Sequence, residues 1–386
     1  MPEDMDEVTD LVPQLVAFRH DLHAHPELGF AEYRTAARIA DVLRELNLEV
    51  HTNIGGTGVV GVLRSGISDR ALGLRADMDA LPMTEETGLP YASQTPGVFH
   101  GCGHDGHVVM LLGAAQYLSR TRRFDGTVNF IFQPAEEGLA GARAMIADGL
   151  FDRFPTDEVY ALHNWPDLAE GTAMTRAGPI MAAADRFEIL IEGRGGHAAQ
   201  PHKTPDAILT ASDLVTQLNT IVSRRIPPVG SAVLSVTQIK GGQTHNVLPA
   251  TVQLVGTVRS FDPAIQDKIE QLVRQISEGI ALASGTRIKV TYERYYPATV
   301  NHPGAASAAL EAACACCHAE IAPEPAFTSE DFAFMLQARK GAYLWLGQGR
   351  GPENVPLHHP RYDFNDAIIA TGIRWHSTLV EQLLSV

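Results

Sequence analysis

Cysteine is scarce in this sequence. The 386 residues contain four cysteines, at Cys102, Cys314, Cys316 and Cys317. Three of these lie within four residues of one another, which is too close for an ordinary disulfide framework. We therefore expect a reducing, cytoplasmic location, in which thiols stay free.

Long hydrophobic runs and an excess of positive charge are also missing. The longest apolar run covers about residues 108–115, far short of the roughly 18 residues that a transmembrane helix needs. The first residues are acidic and lack the basic region of a signal peptide. With 30 Lys and Arg against 45 Asp and Glu, the formal net charge is −15. We therefore expect neither nucleic acid nor a membrane as a partner.

The sequence does have enough apolar material for a large core, since 45% of its residues are hydrophobic. Apolar spacing predicts strands at 58–63, 71–74, 128–132 and 159–162, and helices at 105–119 and 305–319 among others. Strands that alternate with helices in this way predict an α/β fold, with a mixed, mostly parallel sheet covered by helices.

The pattern changes near Asp185. Residues 186–192 alternate polar and apolar side chains, which is typical of a strand with one solvated face. The segments that follow are a helix at 205–223, strands at 232–239 and 251–258, a helix at 263–283 and a strand at 287–294. This βαββαβ order predicts a ferredoxin-like domain at residues 185–296. We predict that it is inserted into a main domain formed by residues 1–184 and 297–386.

Residues 100–107 hold the densest cluster of possible metal ligands. Cys102 lies there with His100, His104 and His107. Glycines on both sides of Cys102 and His104 let the backbone turn, so that thiolate and imidazole can converge. A Cys-x-His pair is not a zinc-finger spacing, and further ligands must come from elsewhere. Taken alone, the segment also fits a glycine-rich loop with a buried cysteine.

Other donors follow predicted strands. Glu136 and Glu137 come just after the strand at 128–132, and His163 follows the strand at 159–162. Ligand sites in open parallel sheets lie beyond the carboxyl ends of the strands. Two adjacent glutamates can divide the work, because one can ligate a metal while the other moves protons. Asp79, after a third strand, is a candidate for orienting a metal-bound histidine.

Five side chains from four segments are therefore candidate metal ligands: Cys102, His104, Glu137, His163 and His358. A mixed Cys/His/Glu set suits Mn, Zn, Fe, Co or Ni better than Mg or Ca. Five ligands exceed the three of a single catalytic zinc. We therefore predict two divalent ions about 3.5–4 Å apart. Asp77, His107 and His359 have no assigned role.

Nearly the whole chain resembles one enzyme family. The matching segments are residues 19–28, 75–82, 100–107, 133–138, 162–166, 195–202, 246–249, 329–332 and 357–366. In this order they resemble the M20 metallopeptidase superfamily and, within it, the amidohydrolase branch. That branch contains hippurate hydrolases, N-acyl-amino-acid amidohydrolases and auxin-conjugate hydrolases. The resemblance implies a catalytic main domain and an inserted lid domain that also makes a homodimer or homotetramer.

The resemblance also implies roles for individual residues. Glu136 resembles the general base, and His197 resembles the lid histidine that helps to hold the oxyanion. Asn246 and Arg259 stand where substrate-carboxylate contacts are expected. Each subunit would hold two divalent ions, with manganese ahead of zinc, nickel or cobalt. Elsewhere in the superfamily a His-x-Asp motif supplies a metal ligand where Asp77 stands here, so the role of Asp77 stays open.

Three functions follow as hypotheses. The first is hydrolysis of a small N-acyl amino acid, such as hippurate, an N-acetyl amino acid or an aryl-acyl conjugate. The second is a dipeptidase or carboxypeptidase of the same superfamily. The third is a metal-binding protein without catalysis, which the intact pair Glu136 and Glu137 disfavours.

Overall fold

The structure is a computed structural model that describes residues 3–351 and 354–386. The helices are α1 (Glu3–Ala24), α2 (Tyr33–Glu45), α3 (His104–Thr121), α4 (Glu136–Leu139), α5 (Gly141–Ala147), α6 (Leu150–Arg153), α7 (Ala207–Thr220), α8 (Pro263–Ser284), α9 (Pro303–Cys314), α10 (Phe332–Ala338) and α11 (Ile369–Leu383). The strands are β1 (Glu49–Ile54), β2 (Gly58–Ser65), β3 (Ala71–Asp77), β4 (Gly126–Gln133), β5 (Glu158–Ala169), β6 (Thr172–Thr175), β7 (Gly178–Met181), β8 (Ala183–Glu192), β9 (Gly196–His197), β10 (Ala232–Gly241), β11 (Val247–Leu248), β12 (Thr251–Ser260), β13 (Arg287–Tyr296), β14 (Thr299–Asn301), β15 (His318–Ile321) and β16 (Lys340–Gly349).

The chain divides into two compact units. The first consists of Met1–Ile180, Val300–Glu324 and Asp331–Val386, and the second of Met181–Thr299 and Pro325–Glu330. No helix in the described part of the chain combines the length and apolar character needed to cross a bilayer.

The first unit is built on an eight-stranded sheet with the order β1-β2-β4-β3-β5-β16-β6-β15. The central strands β4, β3, β5 and β16 run parallel, as do β6 and β15, whereas the remaining neighbours are antiparallel. Every residue of β3 is buried, as expected for a central strand with helices on both faces. The predicted α/β fold with a mixed, mostly parallel sheet is confirmed.

The carboxyl ends of three neighbouring strands meet at one edge of this sheet. Asp77 at the end of β3 pairs in register with Gln133 at the end of β4. Arg75 pairs with Ala161 on the other side of β3. His163, two residues further along β5, therefore lies at the level of Asp77. Donor residues that follow these strands come together at this edge.

One predicted helix ends early. The expected helix at 305–319 ends at Cys314, and residues 318–321 form strand β15 instead. The backbone N–H groups of Cys316 and Cys317 both donate to the carbonyl of Ala313, which closes the last turn. The chain then pairs in parallel with β6, an interaction that no local spacing could indicate.

The second unit has the element order βαββαβ, apart from the short pair β9 and β11. Its four main strands are antiparallel in the order β10-β12-β8-β13. On β8, Phe187, Ile189 and Ile191 are buried and alternate with more exposed residues, as the sequence pattern predicts. The unit begins at Met181 and its main segment ends at Thr299, rather than at residues 185 and 296. Its action as a lid and in dimerisation stays a prediction.

Candidate metal centre

The loop before α3 brings Cys102 and His104 into the same buried region. Gly103 between them has φ +88°, and a Cβ there would lie 2.6 Å from Asn164 Oδ1 and from Tyr362 Oη. Only glycine fits this left-handed, crowded position. Cys102 and His104 are 7% and 1% exposed, so both donors lie in a region where charge is poorly screened by water.

The five candidate ligands form one continuous cluster. Cys102 Sγ lies 3.5 Å from His163 Nε2, and donor atoms of Cys102, Glu137 and His358 all lie within 4.8 Å of one another. Glu137 Oε1 is 3.1 Å from His358 Nε2 and 4.0 Å from His104 Nε2. Glu137 therefore sits between the His358 end and the His104 end of the cluster.

Two buried histidines present the same ring nitrogen to this cluster. His104 Nδ1 donates to the backbone carbonyl of Asp79 over 3.0 Å, and His163 Nδ1 donates to that of Asn164 over 2.7 Å. When such a ring is neutral, its lone pair lies on Nε2, which is the atom that a metal would bind. His107 differs, because Asp77 and Asn164 occupy both of its ring nitrogens, each at 2.5 Å.

Glu136 and Glu137 lie on a tight turn with strained backbone. Ala135 and Ala140 have φ of 54° and 58°, a left-handed conformation that costs roughly 1–2 kcal/mol per residue. At Gly141, a Cβ would lie 1.7 Å from the carbonyl oxygen of Pro134. Such a turn persists only where its surroundings hold it in place.

Asp79 holds the start of this turn. Its Oδ1 and Oδ2 accept the backbone N–H groups of Glu136 and Glu137, each over 3.0 Å. Asp79 Oδ1 also lies 3.3 Å from His104 Nδ1. The Asp79 carboxylate thus contacts both the turn that carries the two glutamates and the candidate ligand His104.

The carboxylates in this region favour positive charge. Burial lowers the pKa of His104, but Asp77, Asp79 and Glu137 more than reverse this and raise it to about 10. Burial, together with Glu137 and Glu136, raises the pKa of the Cys102 thiol well above its usual value. A divalent cation bound here would displace both protons, as metals do at thiol and imidazole ligands.

Orphaned polar atoms support the same interpretation. Among the residues that the structure describes, His104 Nε2 and Glu137 Oε1 are buried and make no hydrogen bond, although Glu137 Oε1 lies 3.1 Å from His358 Nε2. Buried polar atoms in proteins almost always have a partner. Because both atoms point into the cluster of Cys, His and Glu donors, the residues fit a divalent transition metal.

A buried ion cluster anchors α3 to α1 directly beside the ligand loop. Asp105 Oδ2 lies 2.9 Å from Arg19 Nη1 and 2.8 Å from His23 Nδ1, and all three side chains are fully buried. Burial lowers the pKa of His23, but the Asp105 carboxylate overcomes this and raises it to about 9. This cluster fixes the first turn of the helix that begins at His104.

The His23 contact predicts a pH-dependent stability. Because the pKa of about 9 in the folded protein exceeds the ordinary histidine value of 6.5, the contribution is fully present below pH 6.5 and is lost as pH rises through 9. We expect the free energy of unfolding, measured with chelator present, to fall between these pH values. In His23→Gln the fall should be smaller. Equal pH dependence in both proteins would contradict the assignment.

The remaining predicted site residues lie in the second unit. His197 on β9 pairs with Val247 on β11, and the Ala198 N–H donates to the Asn246 carbonyl over 3.1 Å, so His197 and Asn246 are neighbours. Arg259 lies on β12 and bonds the hydroxyl of Thr257. Their roles toward a substrate stay predictions.

Sequence reasoning missed a buried network behind the turn. Arg75, Gln133 and Asp331 bond one another, and Arg75 also contacts Asp77 at 2.8 Å. Gln133 and Asp331 belong to segments that carry the family resemblance, which was the available signal. His359, to which the sequence assigns no role, accepts the backbone N–H of Arg361 through Nδ1.

The chain is similar to known proteins along nearly its whole length. Residues 73–382 match the family model described as peptidase family M20/M25/M40. The chain is 41% identical over 381 residues to hippurate hydrolase of Campylobacter jejuni, covering 98% of each chain. It is 39% identical over 363 residues to N-acetyl-L-cysteine deacetylase of Bacillus subtilis, covering 94% of this chain and 86% of that one. The crystal structure of the Bacillus subtilis YXEP protein, described as a dinuclear metal binding peptidase from the M20 family, matches with a TM-score of 0.85 and 32% identity, covering 97% of this chain and 99% of that one. The chain therefore belongs to peptidase family M20/M25/M40.

Proposed function

We propose that this protein is a metal-dependent amidohydrolase that cleaves the amide bond of N-acyl amino acids. The observation that carries the proposal is the adjacent pair Glu136 and Glu137. Glu137 joins Cys102 and His358 in one donor group, while Glu136 lies in a second group with His104 and Glu137. One glutamate can therefore bind metal while its neighbour handles protons beside it.

The ligands of the proposed centre are Cys102, His104, Glu137, His163 and His358. Two divalent ions per subunit, with manganese ahead of zinc, nickel or cobalt, match this number and chemical type of donors. The description of the YXEP protein as dinuclear supports the count. A divalent metal bound there supplies Lewis acidity, which acidifies water and polarises a carbonyl group.

Glu136 is the proposed general base. It is 7% exposed, and its Oε1 accepts the backbone N–H of Asp331 over 3.4 Å. This contact, together with the bond from the Glu136 N–H to Asp79, holds the Glu136 carboxylate beside His104 and Glu137. Glu136 takes a proton from the attacking water and passes it to the leaving amine nitrogen. Asp79 acts as a positioning residue for the turn.

Three residues of the second unit are proposed to bind the substrate. His197 would stabilise the oxyanion that develops on the amide carbonyl. Asn246 and Arg259 would bind the carboxylate of the amino acid. The guanidinium of Arg259 forms no ion pair among the described residues, and burial lowers its pKa, so a carboxylate there would form a charge-assisted bond.

A substrate panel tests this function. Metal-loaded protein is assayed with hippurate, N-acetyl-methionine, an indole-acetyl amino acid and a dipeptide, by release of free amino acid. We expect faster release from acylated substrates, since the relatives are named hippurate hydrolase and N-acetyl-L-cysteine deacetylase. Preference for the dipeptide would favour the peptidase alternative. No release with two bound ions would favour the non-catalytic hypothesis.

Assembly and location remain proposals. A homodimer or homotetramer formed through residues 185–296, closure of that domain as a lid, and a cytoplasmic location are implied by the resemblance and by cysteine usage. Sedimentation equilibrium measures the assembly directly, and a monomer at assay concentration would contradict it.

A further inference from the structure

Buried carboxylates hold the turn that carries Glu136 at several points. Glu32 Oε1 accepts the N–H of Ala135 over 2.8 Å, and Asp79 accepts those of Glu136 and Glu137. At the far end of the turn, Asp331 Oδ2 accepts the N–H of Ala142 over 2.9 Å. The strained backbone between residues 135 and 140 is therefore fixed from outside the turn.

Asp331 differs from the other two carboxylate residues because it also contacts the Glu136 side chain. Its backbone N–H donates to Glu136 Oε1 over 3.4 Å. Its side chain is fully buried, and Oδ1 accepts bonds from Gln133 Nε2 at 2.7 Å and Arg75 Nη2 at 3.2 Å. Asp331 thus contacts the end of the turn and the reactive carboxylate at the same time.

Arg75 makes this arrangement electrically possible. Its fully buried guanidinium lies between two carboxylates, with Nη1 2.8 Å from Asp77 Oδ2 and Nη2 3.2 Å from Asp331 Oδ1. Nε donates to Gln133 Oε1 over 2.8 Å. A buried carboxylate is costly unless paired in this way, and Arg75 and Gln133 leave Asp331 a narrow choice of orientations.

We propose that Asp331 is a positioning residue for Glu136. It holds the end of the strained turn through Ala142 and orients the Glu136 carboxylate through its own N–H, while Arg75 and Gln133 fix Asp331 itself. The inference rests on the proposed function, because it assigns Asp331 to the same general base. It adds Asp331 to the working parts of the site.

Hydrogen exchange tests whether Asp331 holds the turn, and this measurement does not depend on turnover. In Asp331→Asn, we expect amides in peptides covering residues 134–142 to exchange at least about tenfold faster than in the wild type. The matched control is Asp125→Asn, because Asp125 Oδ1 also accepts backbone N–H groups, those of Ile67 and Ser68 at 2.6 and 2.7 Å. That variant should accelerate exchange near residues 66–70 only. Unchanged exchange at 134–142 in Asp331→Asn would overturn the proposal.

A double-mutant cycle then tests whether Asp331 acts through Glu136. We expect Asp331→Asn to lower kcat by about 10–100-fold, as outer-shell variants do, with KM within twofold and metal content unchanged. In a Glu136→Gln background, the same substitution should lower kcat less than twofold. Equal losses in both backgrounds, or loss of metal in proportion to activity, would overturn the positioning role.

Gln133→Met provides a second variant if Asp331→Asn fails to fold. It keeps the side-chain length but removes the bond to Asp331 Oδ1, so faster exchange at 134–142 and a smaller fall in kcat are expected. Wild-type-like exchange in this variant would contradict the proposal that Gln133 fixes Asp331. A wild-type protein that binds metal but hydrolyses nothing would contradict the proposed function. The exchange result would still decide whether Asp331 holds the turn.

Discussion

Replacing Glu136 by glutamine is expected to lower kcat by about 10²–10⁴-fold while metal binding stays intact. The amide has the shape of the carboxylate but cannot take a proton from water. The backbone bond to Asp79 does not involve the Glu136 side chain and should persist. Initial rates and metal content, measured on the same preparation, decide the result.

The control for this prediction is Glu45→Gln, since Glu45 lies exposed at the end of α2. Its kcat and metal content should equal those of the wild type. Near-normal kcat in Glu136→Gln at full metal occupancy would remove Glu136 from the role of general base.

The same substitution one residue later should have a different signature. Glu137 lies between the two ends of the cluster, 3.1 Å from His358 Nε2 and 4.0 Å from His104 Nε2. In Glu137→Gln we expect both metal affinity and turnover to fall by more than about 100-fold, beyond the loss that outer-shell changes produce. Calorimetric titration of the metal measures the affinity.

The adjacent glutamates thus control for each other. Loss of turnover with metal retained in Glu136→Gln, and loss of both in Glu137→Gln, would separate proton transfer from metal binding. Wild-type metal affinity in Glu137→Gln would contradict its assignment as a shared ligand and favour a cluster built without it.

Much of the candidate site could be predicted because its donors follow strands. Parallel strands bring their carboxyl ends to one edge, so Glu137 after β4 and His163 on β5 are expected at the same edge of the sheet. In the structure His163 Nε2 lies 3.5 Å from Cys102 Sγ, and donor atoms of Cys102 and Glu137 lie within 4.8 Å of each other. The strand β8 could also be predicted, because buried and more exposed residues alternate along it.

The buried network of Arg75, Gln133 and Asp331 could not be predicted in this way. Arg75 and Asp331 are 256 residues apart, and their contact depends on how the chain returns to the first unit. Spacing within a segment carries no information about such a pair. The early end of the predicted helix at 305–319 has a related cause, since β15 exists through its pairing with β6 rather than through local propensity.

Histidines illustrate the same limit. His104 and His107 lie one helical turn apart, and the sequence makes His104 a candidate ligand while leaving the role of His107 open. The structure distinguishes them by partners, because Asp77 and Asn164 bond both ring nitrogens of His107, while His104 Nε2 has no hydrogen-bond partner among the described residues.

The most direct test of the central claim is a titration of Mn²⁺ into chelator-treated protein, with bound metal and hippurate hydrolysis measured at each point. The account predicts negligible turnover without metal and activity that rises until about two ions are bound per chain. Turnover that persists in metal-free protein, or two tightly bound ions without hydrolysis of any acylated amino acid, would contradict it.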